Sequence, residues 1–136
     1  WLLASLLDLR HSTGRPLVTL YGPEANERRG ATIALNFRDP SGAFIDHQAI
    51  EMRAGERNIS IRAGCFCNPG AGELAMGISA DEMRACFNRQ PERITYDDFR
   101  RCIDSKSSGA VRVSLGVATT FADAEAFVDF ARTFLV

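Results

Sequence analysis

Hydrophobic residues recur at helical and strand-like spacings along the chain, separated by short polar turns. Residues 1–11 carry leucines at close to helical spacing, which predicts a first helix that ends at a Ser-Thr-Gly turn. Residues 17–21 and 31–37 have the character of strands, and the polar loop between them predicts an antiparallel pair. Residues 58–62 and 110–117 alternate apolar with polar side chains, which predicts two further strands, each with one buried face.

Capping side chains predict where the other helices begin. A Ser, Thr or Asp side chain just before a helix accepts hydrogen bonds from the unpaired amides of its first turn. The candidate caps are Asp46, Ser79 with Glu82, Thr95 with Asp98, and Thr119 or Thr120. Helices are therefore expected from Asp46 to about Ala54, over about 80–88, after Thr95, and through the apolar stripe that ends the chain.

Together these elements predict an α+β fold, in which a small, mostly antiparallel sheet packs on helices. A chain of 136 residues suits one domain, because it can bury roughly two-thirds of the surface that its unfolded form exposes. Helical spacing places Met52 and Phe121 among the buried residues and His47 on the surface. Arg112 falls on the polar side of the last strand, away from the core.

Charge and hydropathy narrow the function classes. The 16 basic and 17 acidic residues are scattered and give a formal net charge of −1, so we expect no nucleic-acid or membrane partner. No apolar run approaches the roughly 20 residues of a membrane span, and we expect a cytoplasmic protein. The chain opens at Trp1 without a methionine and already in helical register, which indicates a fragment of a longer protein.

The four cysteines are the main candidates for chemistry. All lie in the second half of the chain, a poor distribution for a disulfide-stapled secreted domain, so reduced thiols are expected. Cys86 and Cys102 fall in helices, where a small buried hydrophobic residue is the common role. Cys65 and Cys67 fall on the Gly- and Pro-containing loop 63–70, between a predicted strand and a short predicted helix.

Two roles are open for Cys67 on these grounds. A thiol on a glycine-rich loop can approach a substrate, and the amino end of the helix that follows favours negative charge on it. A buried structural cysteine is the alternative. A metal site is not expected, because the Cys-x-Cys pair lacks the usual zinc spacing and the histidines, His11 and His47, lie elsewhere in the sequence.

Several segments carry a resemblance to a known family. They read LYGP at 20–23, ATIALNF at 31–37, RAGCFCNPGA at 62–71 and VRVSLG at 111–116. In this order they resemble the carboxy-terminal small domain of class V aminotransferase-fold cysteine desulfurases, which depend on pyridoxal phosphate. The string GCFCNPGA, followed by MGIS at 76–79 and GAVRVS at 109–114, resembles more narrowly the molybdenum cofactor sulfurases.

The resemblance implies roles for five residues. Cys67 matches the cysteine that takes sulfur from a substrate adduct and holds it as a persulfide, and Cys65 is then a bystander or modulator. Arg112 matches the arginine that binds the substrate carboxylate, a task that suits a planar guanidinium. An exposed arginine on a half-buried strand is the alternative for Arg112. Arg62 matches an arginine that keeps the site positive, and Asn36 is a further candidate near the substrate.

The resemblance also implies what this chain lacks. Residues 1–136 correspond to the small domain alone, and the large domain that binds pyridoxal phosphate has no counterpart in them. The cofactor is therefore expected only in the full-length parent, because the sole lysine, Lys106, lies in a polar turn unsuited to a Schiff base. Gly72 stands where some sulfurases have a further cysteine.

The expected function is part of a cysteine desulfurase or molybdenum cofactor sulfurase-like enzyme that acts on L-cysteine, with the isolated chain inactive. The resemblance implies a homodimeric parent, and the sulfur acceptor is the molybdenum cofactor or a carrier protein. Two alternatives stay open. One is a selenocysteine lyase or another class V carbon–sulfur lyase, and the other is a non-catalytic module that binds a sulfur carrier.

Overall fold

The computed structural model describes residues 1–25, 27, 29–89, 95–103 and 106–136. Its helices are α1 (Leu2–Leu7), α2 (His47–Gly55), α3 (Pro69–Met76), α4 (Ala80–Arg89), α5 (Tyr96–Cys102) and α6 (Phe121–Arg132). Its strands are β1 (Val18–Tyr21), β2 (Thr32–Phe37), β3 (Arg62–Gly64) and β4 (Ala110–Ser114). Within these residues, no helix is long and apolar enough to cross a membrane.

The strands form one antiparallel sheet in the order β1-β2-β4-β3. The antiparallel pair predicted for the first two strands is confirmed, with Val18 opposite Phe37 and Tyr21 opposite Ala34. β4, the last strand in the sequence, lies between β2 and β3, so β2 and β4 form the centre of the sheet. The predicted α+β class, a small antiparallel sheet with helices packed on it, is confirmed.

One face of the sheet builds the hydrophobic core. Side chains alternate sides along a strand, so Ile33, Leu35 and Phe37 of β2 face the same way, and all three are buried. They belong to one cluster with the leucines of α1 and with Phe127 and Phe130 of α6. Because the core occupies this face, the opposite face of the sheet is left for polar residues.

Side-chain caps start the helices where the sequence predicted them. The Asp46 carboxylate accepts hydrogen bonds from the amides of Gln48 and Ala49 at the start of α2. Reciprocal capping boxes join Ser79 with Glu82, Thr95 with Asp98, and Thr120 with Asp123. Thr120 is therefore the cap of α6, which settles the choice between the two threonines.

The first helix is shorter than predicted, and the third strand lies later in the sequence than predicted. The chain turns back soon after α1, and the Leu17 amide donates to the Leu9 carbonyl at 3.0 Å. The strand predicted over 58–62 is wrong, because Asn58 has a φ of 57° and pairing with β4 begins only at Arg62. A residue in the left-handed region interrupts a strand, however regular the alternation of its neighbours.

Three predictions of burial were wrong. Met52 and Phe121 are 64% and 57% exposed, because each lies on the outer side of its helix. His47 is 4% exposed instead of lying on the surface. It is enclosed because α2 packs against the turn before β4, where a Cβ built on Gly109 would lie 2.8 Å from His47 Nε2.

The last strand is also shorter than predicted. β4 ends at Ser114, three residues before the predicted end of that strand at residue 117.

The expectation of reduced thiols was wrong for two of the cysteines. Cys86 and Cys102 form a disulfide that joins α4 to α5, with their Cα atoms 5.6 Å apart. The two residues were expected to be small buried side chains, and Cys86 is indeed 2% exposed. The pairing depends on how α4 packs beside α5, which helical spacing within each segment does not specify. Cys65 and Cys67 are free, as expected.

Candidate functional site

A row of directly opposed residues crosses all strands of the sheet on the face away from the core. The register pairs Tyr21 with Ala34, Ala34 with Arg112, and Arg112 with Arg62. Directly opposed residues of antiparallel strands point to the same side, so these side chains share one face. We call it the site face. Asn36, two residues after Ala34 along β2, lies on it as well.

The two free cysteines lie on a loop that directly follows β3. Gly64 ends β3 with a φ of 150°, a conformation that residues with a Cβ rarely adopt, and the chain leaves the sheet there. Residues 65–68, which we call the thiol loop, lead into α3. The Asn68 side chain caps that helix by accepting from the Ala71 amide at 3.3 Å. The predicted loop between a strand and a short helix is present, but it is shorter than the predicted 63–70, because β3 extends to Gly64 and α3 begins at Pro69.

The thiol loop and the site face enclose a cleft of about 170 Å³. The residues that line it come from β2, β4 and the end of β3 with the loop: Ala34, Gly64, Cys65, Phe66, Cys67, Ala110, Val111 and Arg112. Both thiol-bearing side chains are exposed. The structure thus brings the predicted nucleophile and the predicted carboxylate-binding arginine into one cleft, although they are distant in the sequence.

Arg112 lines the cleft, and Arg62, which is outside the lining, adds a second positive charge next to it. Both residues are exposed, and they lie directly opposite each other in the pairing of β3 with β4. In the described part of the chain, neither guanidinium makes a salt bridge or a side-chain hydrogen bond. Like charges placed directly opposite each other repel, so an anion bound beside them would be stabilised. A carboxylate suits this position, because a guanidinium can bind it through two parallel hydrogen bonds.

Asn36 lies beneath the site rather than in it. It is fully buried, and its amide nitrogen donates to the Tyr21 hydroxyl at 3.0 Å and to the Gly109 carbonyl at 2.8 Å. Its Oδ1 atom has no hydrogen-bond partner among the described residues. Burial raises the pKa of the Tyr21 phenol, so this hydroxyl stays protonated at neutral pH. Asn36 therefore joins three parts of the fold, and a direct substrate contact by it stays a prediction.

Lys106 is committed to a structural ion pair. Its ammonium lies 2.6 Å from the Glu82 carboxylate and donates to the Gly77 carbonyl at 2.7 Å. The hydrogen bond from Lys106, with help from Ser79, lowers the pKa of Glu82 to about 2. A lysine held this way is not available for a Schiff base, and it does not line the cleft. That pyridoxal phosphate binds only in another part of the parent protein stays a prediction.

The two histidines contribute to packing. His11 and His47 are 3% and 4% exposed, and neither lines the cleft. The His11 Nε2 atom forms a 2.9 Å hydrogen bond with the Arg38 carbonyl, a tertiary contact. No group of three or more His, Cys, Asp or Glu side chains in the described residues could hold a metal ion.

Sequence reasoning missed the aromatic pair beside the thiols. The rings of Tyr21 and Phe66 meet edge to face, with centroids 5.9 Å apart and an interplanar angle of 86°. Alternation along β1 and β2, combined with an assumed register, would have placed Tyr21 on the polar face with Asn36. No local signal indicates that the Phe66 ring reaches β1, because that contact depends on the path of the thiol loop.

Three known proteins that are similar to this chain all belong to one group. No family model matches the chain. It is 38% identical over 129 residues to the molybdenum cofactor sulfurase of Arabidopsis thaliana and 38% identical over 128 residues to that of Solanum lycopersicum. It is also 38% identical over 131 residues to that of Drosophila melanogaster. These matches cover 92%, 94% and 94% of this chain. The chain is similar along nearly all of its length to one part of the molybdenum cofactor sulfurases.

This similarity confirms the resemblance that the cysteine-loop and strand motifs predicted. The chain spans only 15% of the length of the two plant sulfurases and 16% of the Drosophila melanogaster sulfurase. That proportion agrees with a small domain of a larger protein. The molybdenum cofactor sulfurases are therefore the proteins against which the cleft is interpreted.

Proposed function

We propose that this chain supplies the sulfur-accepting thiol and the carboxylate-binding arginine of a molybdenum cofactor sulfurase-like cysteine desulfurase. The observation that carries the proposal is that Cys67 and Arg112 line the same cleft. The similarity to proteins named molybdenum cofactor sulfurase supports it. The cleft volume of about 170 Å³ lies below the roughly 300–1,000 Å³ of sites for drug-sized ligands, and it suits a small substrate such as L-cysteine.

Arg112 binds the α-carboxylate of L-cysteine in this proposal, and Arg62 adds positive charge next to it. Carboxylate binding fixes one end of the substrate and leaves its sulfur free to approach the thiol loop. Because both guanidinium groups lack carboxylate partners in the described part of the chain, no internal ion pair has to break first. Binding energy is then available for orientation, which contributes strongly to catalysis.

Cys67 is the nucleophile. Its thiolate attacks the sulfur of the substrate, an S–S bond forms, and the C–S bond of the substrate breaks with its electron pair left on carbon. Protonation of that carbon gives alanine, so L-cysteine and the Cys67 thiol are converted into alanine and a Cys67 persulfide. The proposal places pyridoxal phosphate, whose electron-withdrawing ring makes the C–S bond labile, in another part of the parent protein.

The persulfide then passes its terminal sulfur to an acceptor. The names of the relatives favour the molybdenum cofactor as that acceptor, and a carrier protein is the alternative. Cys65 lines the same cleft, so it can modulate the reaction as a neighbouring thiol without being its nucleophile. We further propose a cytoplasmic, homodimeric parent.

The test is persulfide formation in the intact parent protein, supplied with pyridoxal phosphate and L-cysteine. Cys67→Ser is compared with Cys65→Ser, a matched control on the same loop, and the added sulfur is located by peptide mass. We expect the persulfide on Cys67, its loss in Cys67→Ser and its retention in Cys65→Ser. A persulfide that persists in Cys67→Ser would refute the assigned nucleophile.

The alternatives give different results in the same assay. A selenocysteine lyase would turn over selenocysteine far faster than cysteine. A non-catalytic module that binds a sulfur carrier would form no persulfide with either substrate. Neither alternative is favoured by a particular contact in the structure.

A further inference from the structure

We propose that Phe66 is a positioning residue, whose side chain holds the thiol of Cys67 beside Arg112 by packing against both Tyr21 and α3. This inference rests on the proposed function and deepens it, because it names the contact that sets the geometry of the same cleft. Phe66 bears no reactive group, so its effect on the thiol is purely geometric.

The Phe66 side chain contacts two separate parts of the fold. Its ring meets the Tyr21 ring at 5.9 Å between centroids and at 86°, the edge-to-face arrangement that aromatic quadrupoles favour. Near the base of the same side chain, a Cβ built on Gly72 would lie only 3.2 Å from the Phe66 Cβ. α3 therefore approaches the thiol loop so closely that any larger residue at Gly72 would push against Phe66.

Tyr21 is a suitable fixed point, because both its backbone and its hydroxyl are held. β1 pairs with β2, and the buried Asn36 amide donates to the Tyr21 hydroxyl and to the Gly109 carbonyl. Gly109 immediately precedes β4, the strand that carries Arg112. The Phe66 ring is thus packed against a residue whose position is tied to the same strand as Arg112.

Phe66 lies between the two cysteines in the sequence, so its position directly constrains the position of Cys67. Planar peptide bonds join neighbouring residues, so fixing the Phe66 side chain leaves Cys67 few torsions through which to move. Without the ring contact, the thiol loop could turn Cys67 away from the site face while the sheet and Arg112 stayed in place. The separation of Cys67 from the arginines would then increase with no change in the core.

Alkylation of Cys67 by two reagents measures this separation in the chain itself. Iodoacetate and iodoacetamide react by the same displacement, but only iodoacetate is anionic and is attracted by Arg112 and Arg62. The readout is the ratio of the two rate constants at Cys67, followed by peptide mass. A guanidinium several ångströms away should raise the ratio about two- to fivefold over that of a Cys-containing peptide, and Arg112→Gln should lower it.

Two variants displace the ring in different ways. Phe66→Leu removes the edge-to-face contact, and Gly72→Ala pushes on Phe66 from α3. Gly70→Ala is the matched control, because it adds the same methyl group to the same helix but meets only Asn68 Oδ1, at 3.8 Å. Alanine favours helix over glycine, so both glycine variants should fold.

We expect Phe66→Leu and Gly72→Ala to lower the iodoacetate preference towards that of Arg112→Gln, while Gly70→Ala keeps it. A preference retained in both displacing variants would overturn the proposal. The proposal would also be overturned if the native protein showed an iodoacetate preference no greater than that of the peptide. If Phe66→Leu fails to fold, Gly72→Ala decides.

The assay requires no pyridoxal phosphate and no L-cysteine, so it separates this inference from the proposed function. A native iodoacetate preference in a parent protein that forms no persulfide would leave the positioning role intact and refute the reaction. In an active parent, displacement of Cys67 should lower kcat and leave KM for L-cysteine nearly unchanged, since Arg112 is not moved. A rise in KM with an unchanged kcat would contradict the positioning role.

Discussion

Arg62 and Arg112 lie directly opposite each other in the pairing of β3 with β4, and both guanidinium groups are exposed on the site face. Neither is joined to a carboxylate in the described part of the chain. Two like charges that face each other in this way repel, so this pair of arginines weakly destabilises the folded sheet.

Removal of one charge should therefore stabilise the fold. We expect Arg62→Gln to raise the free energy of unfolding by roughly 0.2–1 kcal/mol at low salt, and the gain should shrink at high salt as screening grows. Urea denaturation at two salt concentrations measures this. Arg57→Gln, an exposed arginine outside the cleft lining, is the control. Destabilisation by Arg62→Gln would contradict the assumed repulsion.

Arg112→Lys tests carboxylate binding in the parent protein. Lysine keeps the charge but cannot form two parallel hydrogen bonds, and a hydrogen bond to a charged group contributes about 1.5–3 kcal/mol. We expect kcat/KM for L-cysteine to fall roughly 10- to 100-fold. Ser114→Ala, on the same face of β4 but outside the cleft lining, is the control and should stay within about twofold of native, as surface changes usually do.

Asn36→Asp should destabilise the fold. The substitution keeps the shape of the side chain but removes the donor to Tyr21 and Gly109, and it buries a carboxyl group beside the Gly109 carbonyl. We expect a loss of about 1–3 kcal/mol or more in the free energy of unfolding at pH 7. The loss should decrease at acid pH, because the protonated carboxyl can donate. Urea denaturation at pH 7 and pH 5 checks both statements, and an equal loss at the two pH values would count against them.

The ion pair of Lys106 with Glu82 should make stability depend on acid pH. The pKa of Glu82 falls from 4.5 to about 2 in the folded chain, so the ionised carboxylate stabilises the fold above pH 4.5. That contribution is lost as the pH falls from 4.5 through about 2. In Lys106→Gln the pKa of Glu82 should rise, because the hydrogen bond from Lys106 is its largest cause.

Urea midpoints measured between pH 6 and pH 2 provide the test for Lys106. Native protein should lose more stability over this range than Lys106→Gln, and Lys106→Arg should behave as native protein does. Parallel pH profiles for native protein and Lys106→Gln would show that the ion pair does not set the pKa of Glu82.

Much of the fold could be predicted because local signals agreed with it. Capping boxes such as Thr95 with Asp98 act within one turn of helix, and the alternation of Val111, Arg112 and Val113 states which face is buried. The failures came from contacts between distant segments. Asn58 breaks an alternating pattern by its backbone conformation, and His47 is buried by a turn far along the sequence.

For the candidate site, too, local motifs indicated the residues, whereas their arrangement depends on contacts between distant segments. Cys65, Cys67 and Arg112 could be named from loop and strand motifs, because each lies in a distinctive short string. Their meeting in one cleft depends on the order of the strands, which places β4 between β2 and β3. The packing of Phe66 on Tyr21 depends on the path of the thiol loop and has no local signature.

The strand that carries the thiol loop is the shortest of the sheet and lies at its edge, with β4 as its only strand neighbour among the described residues. Few hydrogen bonds hold such a strand, so its amides should exchange with solvent deuterium well before those of β2 and β4. A local opening at β3 would free the thiol loop at a fraction of the free energy of global unfolding, while the core remains folded.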